Sequence, residues 1–301
     1  GIDDAMAIFY ALESGQFDLV GLTTIFGNCL TTQSTQNALR LLEIAGRTDI
    51  PVAKGANHCL TRTFDDPAAF VHGEDGQGDV GTTPPTTTAI DETAAQFIVN
   101  QIMSQPGEIT LVPVGPLTNI ALALRLEPRI VDNVKEVVLM GGAVFCQGNV
   151  NAAAEANIFN DAEAADVVFG AGWPVTMVGL DVTQQVYMST EQLDAYNQSD
   201  KVTSQHIGRI LPKYLEFHEE YYPGIDGIYV HDSTAITYLL DPSIFDVKQA
   251  PVVVETQGIS RGATWAGTAH QLSEPWAGRP PVTICVDVDA SKAVEMEMAT
   301  V

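Results

Sequence analysis

Runs of apolar, largely β-branched residues recur along the chain at 18–26, 109–114, 134–140, 175–180, 251–255 and 282–286. Several lack the polar alternation of a half-exposed strand, so such strands must be covered on both faces. Between them lie stretches with helical spacing at 3–13, 31–45, 92–104, 116–126, 161–169, 201–220 and 232–240. The first two run into Gly15 and Gly46, residues suited to the left-handed turn that ends a helix. Buried strands alternating with helices predict an α/β fold: a single doubly wound domain over 1–301, with a mostly parallel central sheet and helices on both faces. No internal repeat, low-complexity tract or linker divides the chain. Its hydrophobic content of 46% is enough for one sizeable core. The Pro/Thr-rich segment 81–88 reads as a surface loop.

Charge narrows the choice of partner. With 38 acidic and 14 basic residues the formal net charge is -24. Such a surface repels phosphate backbones and anionic lipid, which argues against nucleic acid and membranes. No segment approaches the roughly 18 uninterrupted apolar residues of a membrane span. A small neutral or cationic ligand, or a divalent cation, suits the charge better, although solubility alone also accounts for it. Cys29, Cys59, Cys146 and Cys285 form no C-x-x-C pair, so a thiolate zinc site is disfavoured. Scattered thiols fit a reducing cytoplasm.

Ligands of doubly wound sheets sit beyond the carboxyl ends of the strands. Asn28, Val114-Gly115-Pro116, Gly141-Gly142 and Asp181 all fall at such ends. Asp3 and Asp4 open an almost wholly apolar helix. One aspartate there caps backbone N–H groups, whereas a second adds repulsion that a bound cation relieves. Calcium, which takes carboxylate and carbonyl oxygens, fits that pattern. His231-Asp232 precedes another helical run. It is either an N-cap with its neighbour, or a cation ligand beside a proton donor whose ordinary pKa lies near neutrality. The segment G-N-V-N-A-A-A-E-A-N at 148–157 is an Asn-rich turn or a set of sugar-hydroxyl partners. H-G-E-D-G-Q-G at 72–78 lacks the lysine and the context of a phosphate loop, leaving a mobile lid or an ordinary surface loop.

Together these segments resemble the inosine–uridine preferring nucleoside hydrolase family. The matching pieces, in order, are G-I-D-D-A-M-A-I (1–8), T-T-I-F-G-N (23–28), H-G-E-D-G (72–76), L-V-P-V-G-P-L-T-N-I (111–120), E-V-V-L-M-G-G (136–142), the 148–157 segment and V-H-D (230–232). The likeness weakens after about residue 254. It implies a cytoplasmic nucleoside-salvage enzyme, a homodimer or homotetramer, that hydrolyses the N-glycosidic bond of ribonucleosides to ribose and free base. The implied route uses a calcium-bound water and an oxocarbenium-like transition state. Carried over by motif, Asp4, Asp232 and the Val114 carbonyl ligate calcium. Asp3 holds the ribose 2′-hydroxyl, and Asn28, Met140, Asn149, Glu155 and Asn157 line the sugar. His72 and His231 face the base, with His231 assisting its departure.

Two departures stand out. The family motif reads D-x-D-P-G-x-D-D, and this chain opens at its glycine, so the first carboxylate and its strand are expected to precede Gly1. Ala156 stands where an aromatic residue is common. A non-catalytic nucleoside- or sugar-binding protein is the rival reading. A dinucleotide-dependent oxidoreductase is disfavoured, because no G-x-G-x-x-G follows the first complete strand.

Overall fold

A computed structural model describes residues 1–267 and 273–301. A three-stranded parallel sheet joins β1 (Leu22–Thr23), β2 (Val52–Lys54) and β3 (Ile90–Thr93). The main sheet draws on β4 (Thr110–Leu111), β5 (Glu136–Met140) and β6 (Val175–Val178). An antiparallel pair, β7 (Tyr187–Ser189) and β8 (Gly227–Tyr229), stands apart from it. The main sheet is completed by β9 (Phe245–Val254), β10 (Thr264–Ala266) and β11 (Pro281–Val288), in the order β10-β9-β11-β6-β5-β4. Its β4, β5, β6 and β11 run parallel, while β9 and β10 are antiparallel additions at one edge. The result is a mixed α/β fold with a mostly parallel central sheet, as the alternation predicts.

Strand β5 shows why its sequence is apolar throughout. Val137 and Leu139 enter a core cluster with Ile120, Ala165 and Phe169, from the helices Thr118–Leu126 and Ala162–Phe169. Val138 and Met140 point the other way, into a cluster with Leu180 and Ala235. Side chains alternate across a strand, so burial on both faces needs an unbroken apolar run.

Five expectations need adjusting. Of 18–26 only Leu22–Thr23 pairs as strand, and of 109–114 only Thr110–Leu111. Run 251–255 is the end of the ten-residue β9, whose first half carries exposed Asp246, Val247, Lys248 and Gln249 and therefore lacks the apolar signature. The helix expected from 92 starts at Ala94, where Thr93 caps the Gln96 N–H and ends β3. The helix expected from 116 starts at Thr118. The sequence pattern does not mark the short strands β2, β3, β7, β8 and β10 or the helices Thr190–Gln198 and Ala290–Met298. The strands are three or four residues long and the helices too polar to stand out.

Candidate active site

The helices Ile2–Glu13 and His231–Leu240 pack against each other, and their first turns meet. One carboxylate oxygen from each of Asp3, Asp4 and Asp232 lies within 4.8 Å of the others. Asp3 and Asp232 are buried and Asp4 half-buried. Helix N-termini favour acids through their unpaired N–H groups, but a single cap does not call for three carboxylates in one place. Burial, then the nearness of Asp3 and Asp4, pushes the Asp232 carboxyl well above its usual range. The Asn28 side-chain amide donates to Asp4 Oδ2 at 2.8 Å. A partly buried, all-oxygen, mutually repelling donor set fits a hard divalent cation.

His72 and Tyr214 bracket Asp3 from the side. The Ile2 backbone N–H donates to His72 Nδ1 at 3.1 Å, and His72 Nε2 stands 3.9 Å from Asp3 Oδ1. Tyr214, on the helix Val202–Tyr221, stacks on the His72 ring at 5.4 Å and donates its hydroxyl to Asp3 Oδ2 at 3.3 Å. Burial lowers the His72 pKa to about 4 in spite of Asp3. The 72–78 segment is no free lid. The Asn37 amide donates to the Asp75 carbonyl at 2.8 Å, and Gln77 bonds both His206, at 3.0 Å, and the Gly1 carbonyl, at 3.1 Å.

A second group lies at the carboxyl end of β5. Asn157 donates to the Met140 carbonyl at 3.1 Å. Glu155 is buried and caps the short helix Ala156–Asn160. Its carboxylate accepts from the backbone N–H groups of Asn157 at 2.8 Å, Gly142 at 2.9 Å and Ile158 at 3.1 Å. Burial raises its pKa against those bonds, and Asp3 adds to the rise, which ties this group electrostatically to the acidic cluster. The Asn149 side chain accepts from the Ala156 N–H at 3.0 Å and is otherwise exposed. Val114 follows β4 and packs, half-buried, against the cluster holding Met140 and Ala235.

His231 opens its helix beside Asp232. Its Nδ1 lies 2.8 Å from Thr183 Oγ1, and burial lowers its pKa to about 4. Tyr229 is tilted against the His231 ring at 6.0 Å, and Tyr222 meets Tyr229 edge-on at 5.2 Å and stacks on His218 at 5.5 Å. Tyr221 instead joins Phe70 and Phe217 in a more exposed cluster. Acids, amides and a neutral imidazole around one carboxylate cluster are what polyol binding and leaving-group departure require.

Comparison with known proteins decides the family. The profile described as inosine-uridine preferring nucleoside hydrolase matches residues 1–295. The chain belongs to that family. A probable uridine nucleosidase 2 of Arabidopsis thaliana is 45% identical, over 99% of this chain and 94% of its own length. The inosine-uridine preferring nucleoside hydrolase of Leishmania major is 42% identical, over 96% and 91%. A solved plant nucleoside hydrolase superposes with a TM-score of 0.97 at 39% identity, covering all of this chain and 95% of its own. As a nucleoside hydrolase, this protein is an enzyme that cleaves N-glycosyl bonds of ribonucleosides. The acidic cluster agrees with the metal dependence of such hydrolases.

Of the residues singled out in sequence, the fold brings Asp3, Asp4, Asp232, Asn28 and His72 into one contact network. It groups Met140, Glu155 and Asn157 in another. His72 spends Nδ1 on the Ile2 backbone rather than leaving both nitrogens for a base. Tyr214 and Thr183, which touch Asp3 and His231, were not foreseen. Nothing in the local pattern marks either one, because each contact spans dozens of residues in sequence.

Proposed function

We propose that this nucleoside hydrolase is calcium-dependent, with Asp4, Asp232 and the Val114 carbonyl holding the ion and Asp3 receiving the ribose 2′-hydroxyl. The meeting of three carboxylates within 4.8 Å, two of them buried, carries this reading. Bound calcium would supply Lewis-acid activation of water and a docking point for vicinal hydroxyls. The remaining work belongs to the chain. Asp3, aligned by Tyr214, orients the sugar and places negative charge near the ribosyl centre as positive charge develops there. Asn28, Met140, Asn149, Glu155 and Asn157 line the sugar, with Asn149 and Glu155 toward the 5′-hydroxyl. His72 borders the pocket, and the Nε2 of His231 faces the departing base.

Uridine is proposed as a substrate, because the similar plant relatives carry the name uridine nucleosidase. A cytoplasmic location accords with four unpaired cysteines. The single domain over 1–301 and a homodimer or homotetramer complete the reading. No helix among the described residues is long and apolar enough to cross a membrane.

The test is release of reducing sugar from uridine, inosine, cytidine and adenosine by the full chain, before and after chelation. Calcium should restore what the chelator removes. Rates indifferent to chelation would end the calcium reading, and no release from any nucleoside would end the substrate reading.

A further inference from the structure

Thr183 closes the helical turn Leu180–Thr183 just beyond β6, and none of its surface reaches solvent. Its hydroxyl has one side-chain partner among the described residues, His231 Nδ1 at 2.8 Å. The other ring nitrogen, Nε2, has no protein partner among those residues and is not sealed from solvent. A neutral imidazole carries one hydrogen, and the bond made by one nitrogen decides which nitrogen bears it. If Nδ1 held the hydrogen, Thr183 would accept it. The buried threonine O–H would then be left without an acceptor, and the nitrogen open to the pocket would be bare. If Thr183 donates, both buried groups are satisfied and the hydrogen sits on Nε2.

We infer that Thr183 is a positioning residue that fixes His231 as its Nε2–H tautomer, so that the ring presents a hydrogen-bond donor to the leaving base. The inference rests on the proposed placement of His231 beside the base. Water adds through its oxygen to C1′ while the N-glycosidic electron pair leaves with the base. The Nε2–H stays on His231 and shares the charge accumulating on the base, whose final proton comes from the water consumed. A neutral imidazole used as a donor in this way avoids forming an imidazolate.

The test compares Thr183→Val, Thr183→Ser and His231→Ala in the full chain, on uridine, inosine and p-nitrophenyl riboside. The activated riboside needs no help with departure. Thr183→Val should lower kcat on the natural nucleosides about 10-fold, the scale of one lost hydrogen bond. It should leave the activated riboside within about 3-fold, and Thr183→Ser should recover most of the loss. Nitrogen-15 spectra of the wild-type imidazole should show a bare Nδ1 and a protonated Nε2. A protonated Nδ1, equal losses on every substrate, or a silent Thr183→Val would overturn the inference. If His231→Ala spares the natural nucleosides, the placement of His231 fails and takes the inference with it. If His231→Ala is selective and Thr183→Val is not, the inference alone fails. Should Thr183→Val not fold, the serine variant and the wild-type spectra still decide.

Discussion

The backbone N–H of Ile2 donates to Nδ1 of His72 at 3.1 Å, joining the start of the first helix to a residue seventy positions away. In the neutral ring the hydrogen is therefore on Nε2, on the side of Asp3. His72→Ala strands the buried Ile2 N–H and removes the ring on which Tyr214 stacks. The expected loss is about 1–3 kcal/mol in denaturant unfolding, the usual cost of an unsatisfied buried group. Stability within about 0.3 kcal/mol of wild type would mean that the bond contributes nothing net.

Tyr214→Phe removes only the hydroxyl that reaches Asp3 at 3.3 Å and keeps the stacked ring. Stability should change by no more than about 1 kcal/mol. Turnover of ribonucleosides should fall roughly 5- to 10-fold, and less for a 2′-deoxynucleoside, which offers Asp3 no hydroxyl. Identical losses on both sugars would detach Tyr214 from ribose recognition.

As a proposed metal ligand, Asp232 should couple metal binding to stability. Its folded carboxyl is held well above the ordinary value by burial and by Asp3 and Asp4, so the metal-free folded state keeps a proton that the unfolded chain has lost. Metal-free stability should fall as pH rises through the ordinary carboxylate range and on toward the raised folded value. Asp232→Asn should raise the metal-free melting temperature at neutral pH and abolish the response to calcium. Wild type should gain about 2.7 kcal/mol at calcium a hundredfold above Kd. A metal-free Asp232→Asn protein that melts below wild type would contradict this.

Glu297 poses the same question away from the acidic cluster. It is buried between Tyr196, whose hydroxyl donates at 3.2 Å, and Ser233, which donates at 3.0 Å, and burial raises its pKa to about 7. The folded state again binds the extra proton, so stability should decline between the ordinary glutamate value of 4.5 and about 7, then level off. The full decline is on the order of 3 kcal/mol. Glu297→Gln keeps an acceptor for both hydroxyls and should remove that slope. An unchanged pH profile in the variant would assign the slope elsewhere.

Glu155 and Asn157 should separate in their effects although they are two residues apart. Glu155→Ala takes the acceptor from three backbone N–H groups and should destabilise the fold by more than about 2 kcal/mol. Asn157→Ala loses only the bonds from its amide to the Met140 carbonyl and sulfur and should act mainly on hydrolysis. Thermal melting and kinetics measured together check the contrast. A strongly destabilised Asn157→Ala would reverse it.

The β5 run, apolar on both faces, made the fold class readable, because burial on two sides leaves an unbroken pattern in composition alone. Paired Asp3-Asp4 and the V-H-D at 230–232 pointed to an acidic site, since adjacent carboxylates at a helix start exceed what capping uses. Local pattern could not show that those two segments meet, that Tyr214 reaches Asp3, or that Thr183 holds His231. Each of these contacts joins residues 48 to more than 200 positions apart, brought together only when the helix Ile2–Glu13 settles against Val202–Tyr221 and His231–Leu240, and the turn Leu180–Thr183 against His231–Leu240. Contact with the start of that first helix also gives His72 its tautomer. Hydrogen-bond roles depend on what lies within about 3 Å, and that distance is set by tertiary packing rather than by neighbours in the chain.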